Sequence, residues 1–150
     1  MIPALSPEGS LGSVGARRAL GGFFVSGVLL SFLGAILPAW QYHLSSDYGI
    51  VGLYFAGLIV GLLASAPAAP KLLKGRGIGW TLAFACELAG GGFLFLAFVS
   101  PPVPAVWRVA GMAVLGFAAG LLHTGIFHAV SPMYLHNRAA TVNLAGVLFG

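Results

Sequence analysis

The chain has 150 residues, of which 59% are hydrophobic and 7% are charged, whereas an ordinary soluble domain is about 25% charged. Most segments have no polar face to turn to water, so a water-soluble globule is excluded and a bilayer is the natural solvent. The formal charge of +4 does not indicate nucleic-acid binding, because the cations are divided among the loops between apolar runs and form no basic stripe interleaved with aromatics.

Residues 1–18 read as a mobile cytoplasmic leader, since "MIPALSPEGSLGSVGA" is small and polar. It is too long and too polar to open a cleaved signal peptide, and the Arg17–Arg18 pair lacks the other features of a twin-arginine signal. The first helix is therefore retained. Residues 19–150 form a transmembrane helical region. A hydrocarbon core roughly 30 Å thick needs about 20 helical residues, and four runs reach that length, at about 20–38, 49–67, 78–99 and 106–130. Backbone groups in lipid must be satisfied within the segment, and barrel strands would be half as long and strictly alternating, so each run is a helix. The fold class is an all-α membrane protein, a polytopic helix bundle.

A fifth apolar run begins near residue 139 in "RAATVNLAGVLFG" and offers only about 18 Å of helix. The chain accordingly reads as the N-terminal piece of a longer protein. The alternative is a complete four-span protein with an interfacial tail.

Lysine and arginine near span ends gather on the cytoplasmic side. Arg17 and Arg18 precede the first run, Lys71, Lys74 and Arg76 separate the second from the third, and Arg138 precedes the fifth. The intervening loops "AWQYHLSSDY" and "SPPVPAVW" hold no lysine or arginine, and only Arg108, just inside the fourth run, breaks the pattern. This pattern predicts a cytoplasmic N-terminus. Pro38 and Pro132 each stand two residues before an aromatic, Trp40 and Tyr134, as helix stops followed by interfacial anchors.

Within the spans, Gly57, Gly61 and Ser65, and Gly116 and Gly120, recur at four-residue spacing and read as close-packing faces. Ionisable groups are expensive at membrane depth and mark candidate sites. Counted from the outer loops at 1.5 Å per residue, Glu87 lies about 18 Å deep, Arg108 about 3 Å and His123 about 25 Å. Depth therefore favours a Glu87–His123 pair, and such a pair reads as a proton-coupling site. Its bland counterpart is a histidine bonded to a neighbouring helix beside an inert acid. Arg108 either snorkels to the headgroups or faces an internal cavity. His128 and His136 read as interfacial residues and His43 as an outer-loop residue. Asn143, in the fifth run, is a further candidate for substrate contact. Cys86 is the single cysteine, so neither a disulfide nor a cysteine metal site is expected. The histidines lack metal-ligand spacing, and "GRGIG" lacks the lysine and hydroxyl of a phosphate loop. No enzyme activity, metal or cofactor is expected.

Several of these segments together resemble the N-terminal half of a major facilitator superfamily transporter. In "GLLASAPAAPKLLKGRG", residues Gly61, Lys71, Lys74, Gly75, Arg76 and Gly77 are similar to the family's gating-loop signature, without its aspartate. "RVAGMAVLGFAAG" is similar to the fourth helix, through Arg108, Gly111, Gly116 and Gly120, and "NRAATVNLAGVLFG" to the fifth. The resemblance implies one part of a six-helix half in a twelve-span whole, with alternating access around a midplane site. It implies that the first and fourth helices line the cavity and that the third is peripheral. It also implies a secondary transporter of a small solute with proton coupling, sited in a bacterial inner membrane. The partners would be lipid, the solute, protons and the remaining helices, with no nucleic acid. The competing reading is a small polytopic membrane scaffold or assembly protein without transport activity.

Overall fold

The computed structural model describes the backbone of residues 8–40, 48–100, 102–134 and 143, and the side chains of residues 21–39, 48–100, 102–131 and 143. The described residues form four helices, α1 (Glu8–Trp40), α2 (Tyr48–Arg76), α3 (Ile78–Phe98) and α4 (Ala105–Tyr134). Each contains a stretch long and apolar enough to cross a membrane: Gly21–Ala39, Tyr48–Arg76, Ile78–Phe98 and Ala105–Ser131. The chain is an all-α, multi-pass integral membrane protein. Outward-facing Phe24, Leu53, Val60, Leu63, Leu94 and Phe98 present apolar surface to lipid.

Several boundaries differ from expectation, and neither Pro38 nor Pro132 stops its helix, since α1 runs on to Trp40 and α4 to Tyr134. The segment read as a leader is helical from Glu8 onward, because no proline interrupts residues 8–37 and an acid suits the first turn of a helix. The second helix does not stop at Pro67. It continues through Pro67 and Pro70 to Arg76. Each proline removes one backbone bond, but alanine, leucine and lysine around them favour helix, and Lys74 and Arg76 lie in the last turn, at the negative end of its dipole. The fifth run lies outside the described residues except for Asn143.

The stretch that separates the second run from the third, "PKLLKGRGIG", is therefore helical on both sides of one residue. Gly77 takes φ +82, a left-handed conformation that costs a residue with a Cβ. Its N–H donates to the Leu73 carbonyl at 3.1 Å, and its own carbonyl accepts from the Thr81 N–H at 3.2 Å and the Thr81 hydroxyl at 2.9 Å. α2 ends and α3 begins around this single glycine.

α4 is the centre of the bundle. Of its apolar stretch 56% is buried, against 22–28% in the other three. α2, α3 and α1 all pack on it, whereas α3 meets α2 only weakly. Contact registers fix the directions. Gly57 meets Val109 and Ser65 meets Gly120, so α2 runs parallel to α4. Leu96 meets Gly111 and Leu82 meets Gly125, so α3 is antiparallel to it. Phe23 meets His123, while Phe32, further along α1, meets Phe93 beside the Gly92–Leu115 contact, so α1 is antiparallel as well. This up-and-down order brings positions 17–18 and 71–76 to one end of the bundle.

The α2–α4 seam is where backbones come closest. A Cβ placed on Gly61 would collide with the Ala113 carbonyl, and one on Gly116 with the Leu58 carbonyl. Glycine is required there by the approach of the partner backbone, which is how helices gain attraction in lipid. Gly57 and Gly120 extend the seam toward Val109 and Ser65. The four-residue spacings identified in the sequence thus face one another across a single interface.

Candidate functional site

α4 starts at Ala105, just after the Pro102 and Pro104 turn, where the Trp107 N–H donates to the Pro104 carbonyl at 3.2 Å. Arg108 falls in this first turn. It is only 5% exposed, so it does not reach out to the headgroups, and the snorkelling alternative does not describe it. Its Nε donates to the Tyr54 hydroxyl at 2.7 Å, and its Nη1 donates to the Val103 carbonyl at 2.9 Å. The guanidinium carbon also sits 5.7 Å from the centre of the Tyr54 ring.

Tyr54 belongs to the stripe on α2 that faces α4, with Gly57, Leu58, Gly61, Ser65 and Ala69, all buried. The spacing of three and four residues puts these on one helix face. Tyr54 is fully buried, and a phenol in that setting needs a hydrogen-bond partner. Arg108 thus joins α2, α4 and the α3–α4 connection at one point. The position is electrostatically demanding, because the first turn of a helix carries partial positive charge that disfavours a cation and burial disfavours charge altogether. Charge-assisted hydrogen bonds of this kind offset those costs.

Near the opposite end of α4, about 22 Å along its axis, His123 is partly buried in an aromatic group. The Phe23 ring stands edge-on to it at 6.2 Å and the Phe127 ring at 4.7 Å, and Phe23 and Phe127 meet at 5.2 Å. On the same stripe of α1 as Phe23, one turn further, the Ser26 side chain is fully buried and its hydroxyl has no hydrogen-bond partner among the described residues.

Glu87 and His123 are not brought together. The Gly92–Leu115 and Leu82–Gly125 contacts do put Glu87 at a depth near that of Gly120, one turn from His123. Direction separates them. The face of α3 buried on the bundle carries Thr81, Ala85, Ala89, Gly92 and Leu96, and Glu87, two residues from both Ala85 and Ala89, points about 200° away from each. It is exposed on the outer face, while His123 turns toward α1. Depth along a helix was legible in the sequence, and its rotational phase relative to neighbours was not.

The gating-loop candidates also separate. Gly61 lies in the middle of α2, buried in the seam. Lys71, Lys74, Gly75 and Arg76 are exposed on the last turns of α2. The Arg76 guanidinium lies 4.8 Å from the centre of the Trp80 ring, and Trp80 stacks on Phe84 at 5.1 Å with the planes 7° apart. This cation–π contact bridges the Gly77 bend. Asn143 is helical and exposed. Among the described residues, no group of three or more His, Cys, Asp and Glu side chains is placed to hold a metal ion.

Tyr54 and Trp80 are the two residues that sequence reasoning missed. Tyr54 had a signal, being a phenol within an apolar run, which demands a polar partner on another helix. Trp80 had a weaker one, an aromatic four residues beyond a basic helix end.

Comparisons with protein-family models, with curated proteins and with solved structures returned no match.

Proposed function

We propose that the protein is a secondary transporter of a small solute, built as part of a major-facilitator-type half and working by alternating access. The observation that carries this reading is the Arg108–Tyr54 pair. An ionisable residue inside a membrane bundle is costly and points by default to function, because apolar packing would hold two helices together without that cost. Its place in the most enclosed helix, where three segments meet, suits a group whose bonds are made in one conformation and remade in another. The peripheral position of α3 and the central position of α4 fit the arrangement that the resemblance implies, as do Gly116 and Gly120 on the fourth helix.

In this reading the end of the bundle bearing Lys71, Lys74 and Arg76 faces the cytoplasm, as does the N-terminus, and the membrane is a bacterial inner membrane. Arg108 and Tyr54 then lie at the outer end. His123, among the aromatic rings near the inner end, is the coupling candidate for protons, and Asn143 the candidate for solute contact from a fifth helix. The test is uptake by the full-length protein in vesicles over a panel of sugars, amphipathic drugs and organic acids. Saturable uptake of one class supports transport. Flat, non-saturable uptake across the panel favours the membrane scaffold.

A further inference from the structure

We propose that the α2–α3 bend is a binding site for one anionic phospholipid, with the Arg76 guanidinium on its phosphate and the Trp80 and Phe84 rings along the top of its acyl chain. The observation behind it is the order in which these groups are stacked. The Arg76 guanidinium lies 4.8 Å from the centre of the Trp80 ring, and Trp80 stacks on Phe84 with the centres 5.1 Å apart and the planes 7° apart. Spaced four residues apart, a cation and two rings make one ladder that starts at the bend and descends α3.

Depth along the membrane matches that ladder to a lipid. α3 spans Ile78–Phe98, about 31 Å of helix, and a hydrocarbon core is roughly 30 Å thick. The bend at Gly77 therefore lies at the edge of the core, with Trp80 about 3 Å inside it and Phe84 about 9 Å inside. These are the levels of a headgroup, a glycerol backbone and an upper acyl chain, and tryptophan is favoured at such an interface. The ladder also faces a gap. Phe93 meets Phe32 of α1, and Trp80 and Phe84 stand about 140–180° round α3 from Phe93, on the side where Arg76 of α2 reaches Trp80. α2 and α3 meet only weakly, and Trp80 and Phe84 stay 40% and 36% exposed.

The chemistry of the ladder selects the occupant. Arg76 is permanently charged and presents a planar fork of N–H donors that matches phosphate oxygens. It donates no hydrogen bond among the described residues, and no acidic residue stands between positions 48 and 86 to neutralise it. Lys71 and Lys74 add two cations near the same helix end, and cations at a membrane surface attract anionic headgroups. A further apolar helix laid on the rings offers Arg76 no anion, and a free phosphate ion offers the rings no apolar surface. An anionic phospholipid supplies both, at these depths.

The experiment is fluorescence quenching of the full-length protein in phosphatidylcholine vesicles that carry an equal minor fraction of either brominated phosphatidylglycerol or brominated phosphatidylcholine. Trp80 is read as the difference between the parent and its Trp80→Phe variant, and brominated lipid is present in both leaflets, so orientation does not affect the readout. Trp80 should be quenched more strongly by the anionic lipid. Arg76→Gln should reduce that preference about fivefold, the share of one cation near a membrane surface. Lys71→Gln, at a position about 140° round α2 from Arg76, should leave it in place. Equal quenching by the two lipids in the parent, no quenching of Trp80 by either, or equal losses in Arg76→Gln and Lys71→Gln would each overturn the lipid site. So would displacement of the anionic lipid by inorganic phosphate beyond that by chloride at the same ionic strength, which would assign Arg76 to a free anion. The readout requires no transport, so it stands apart from the outcome of the uptake assay.

Discussion

The Arg108 guanidinium on α4 donates to the Tyr54 hydroxyl on α2 at 2.7 Å, and both residues are almost wholly buried. Two parallel helices are thereby tied at the end of the bundle where the α3–α4 connection also closes, through Val103. The glycine seam runs on from this tie, so the polar contact and the close-packed contact share one interface.

The tie predicts a measurable coupling. In a double-mutant cycle of Tyr54→Phe and Arg108→Met, read by thermal melting in detergent, the two substitutions should be non-additive by about 1.5–3 kcal/mol, the range for hydrogen bonds to charged groups. Additive losses would mean that the two side chains are held independently.

Close approach at the seam predicts a sharp contrast between glycines. Gly61→Val and Gly116→Val should each destabilise by at least about 1–3 kcal/mol through overpacking, because each new side chain meets partner backbone. Gly52→Ala, where a Cβ meets nothing within 4 Å, should be neutral or stabilising by up to about 1 kcal/mol through helix propensity. Melting temperatures of the three variants in one detergent decide the matter.

The fold was legible in the sequence where the signal was composition and length. Four apolar runs became four helices, and the spaced glycines became one seam. What stayed illegible depended on partners. The second apolar run reads as ending at residue 67, yet helix-forming neighbours carry α2 past Pro67 and Pro70 to a bend at Gly77. Glu87 and His123 share a depth, but only packing on α4 shows that Glu87 turns outward. Arg108 stood out as an intramembrane cation, while its partner Tyr54 did not, because an aromatic in an apolar run looks like core until the facing helix is known.

The buried Ser26 hydroxyl lacks a hydrogen bond among the described residues, and a buried group left so costs about 1–3 kcal/mol. Ser26→Ala should leave stability unchanged or raise it. A clear drop in melting temperature would mean that the hydroxyl holds a bridging partner in the membrane.

Neutralising Lys71, Lys74 and Arg76 together should invert or scramble part of the topology, as judged by labelling of cysteines placed at either end of the bundle. Should topology hold and only the rate of uptake change, the end of α2 acts in gating.

His123→Gln keeps a polar ring-sized neighbour for Phe23 and Phe127 but cannot carry a proton. If His123 couples transport to protons, the variant should show uptake that no longer varies between pH 5 and 8, the interval in which histidine normally titrates. An unaltered profile would remove it from any proton path.

The proposed transport function rests most heavily on Arg108, and one comparison tests it most directly: initial uptake rates of the full-length protein and its Arg108→Ala variant in vesicles, at matched amounts of folded protein. The account predicts saturable uptake by the parent and a loss of at least about tenfold in the variant, the effect of roughly 1.4 kcal/mol on the barrier. Equal uptake by the two would contradict it and leave Arg108 with a purely structural role.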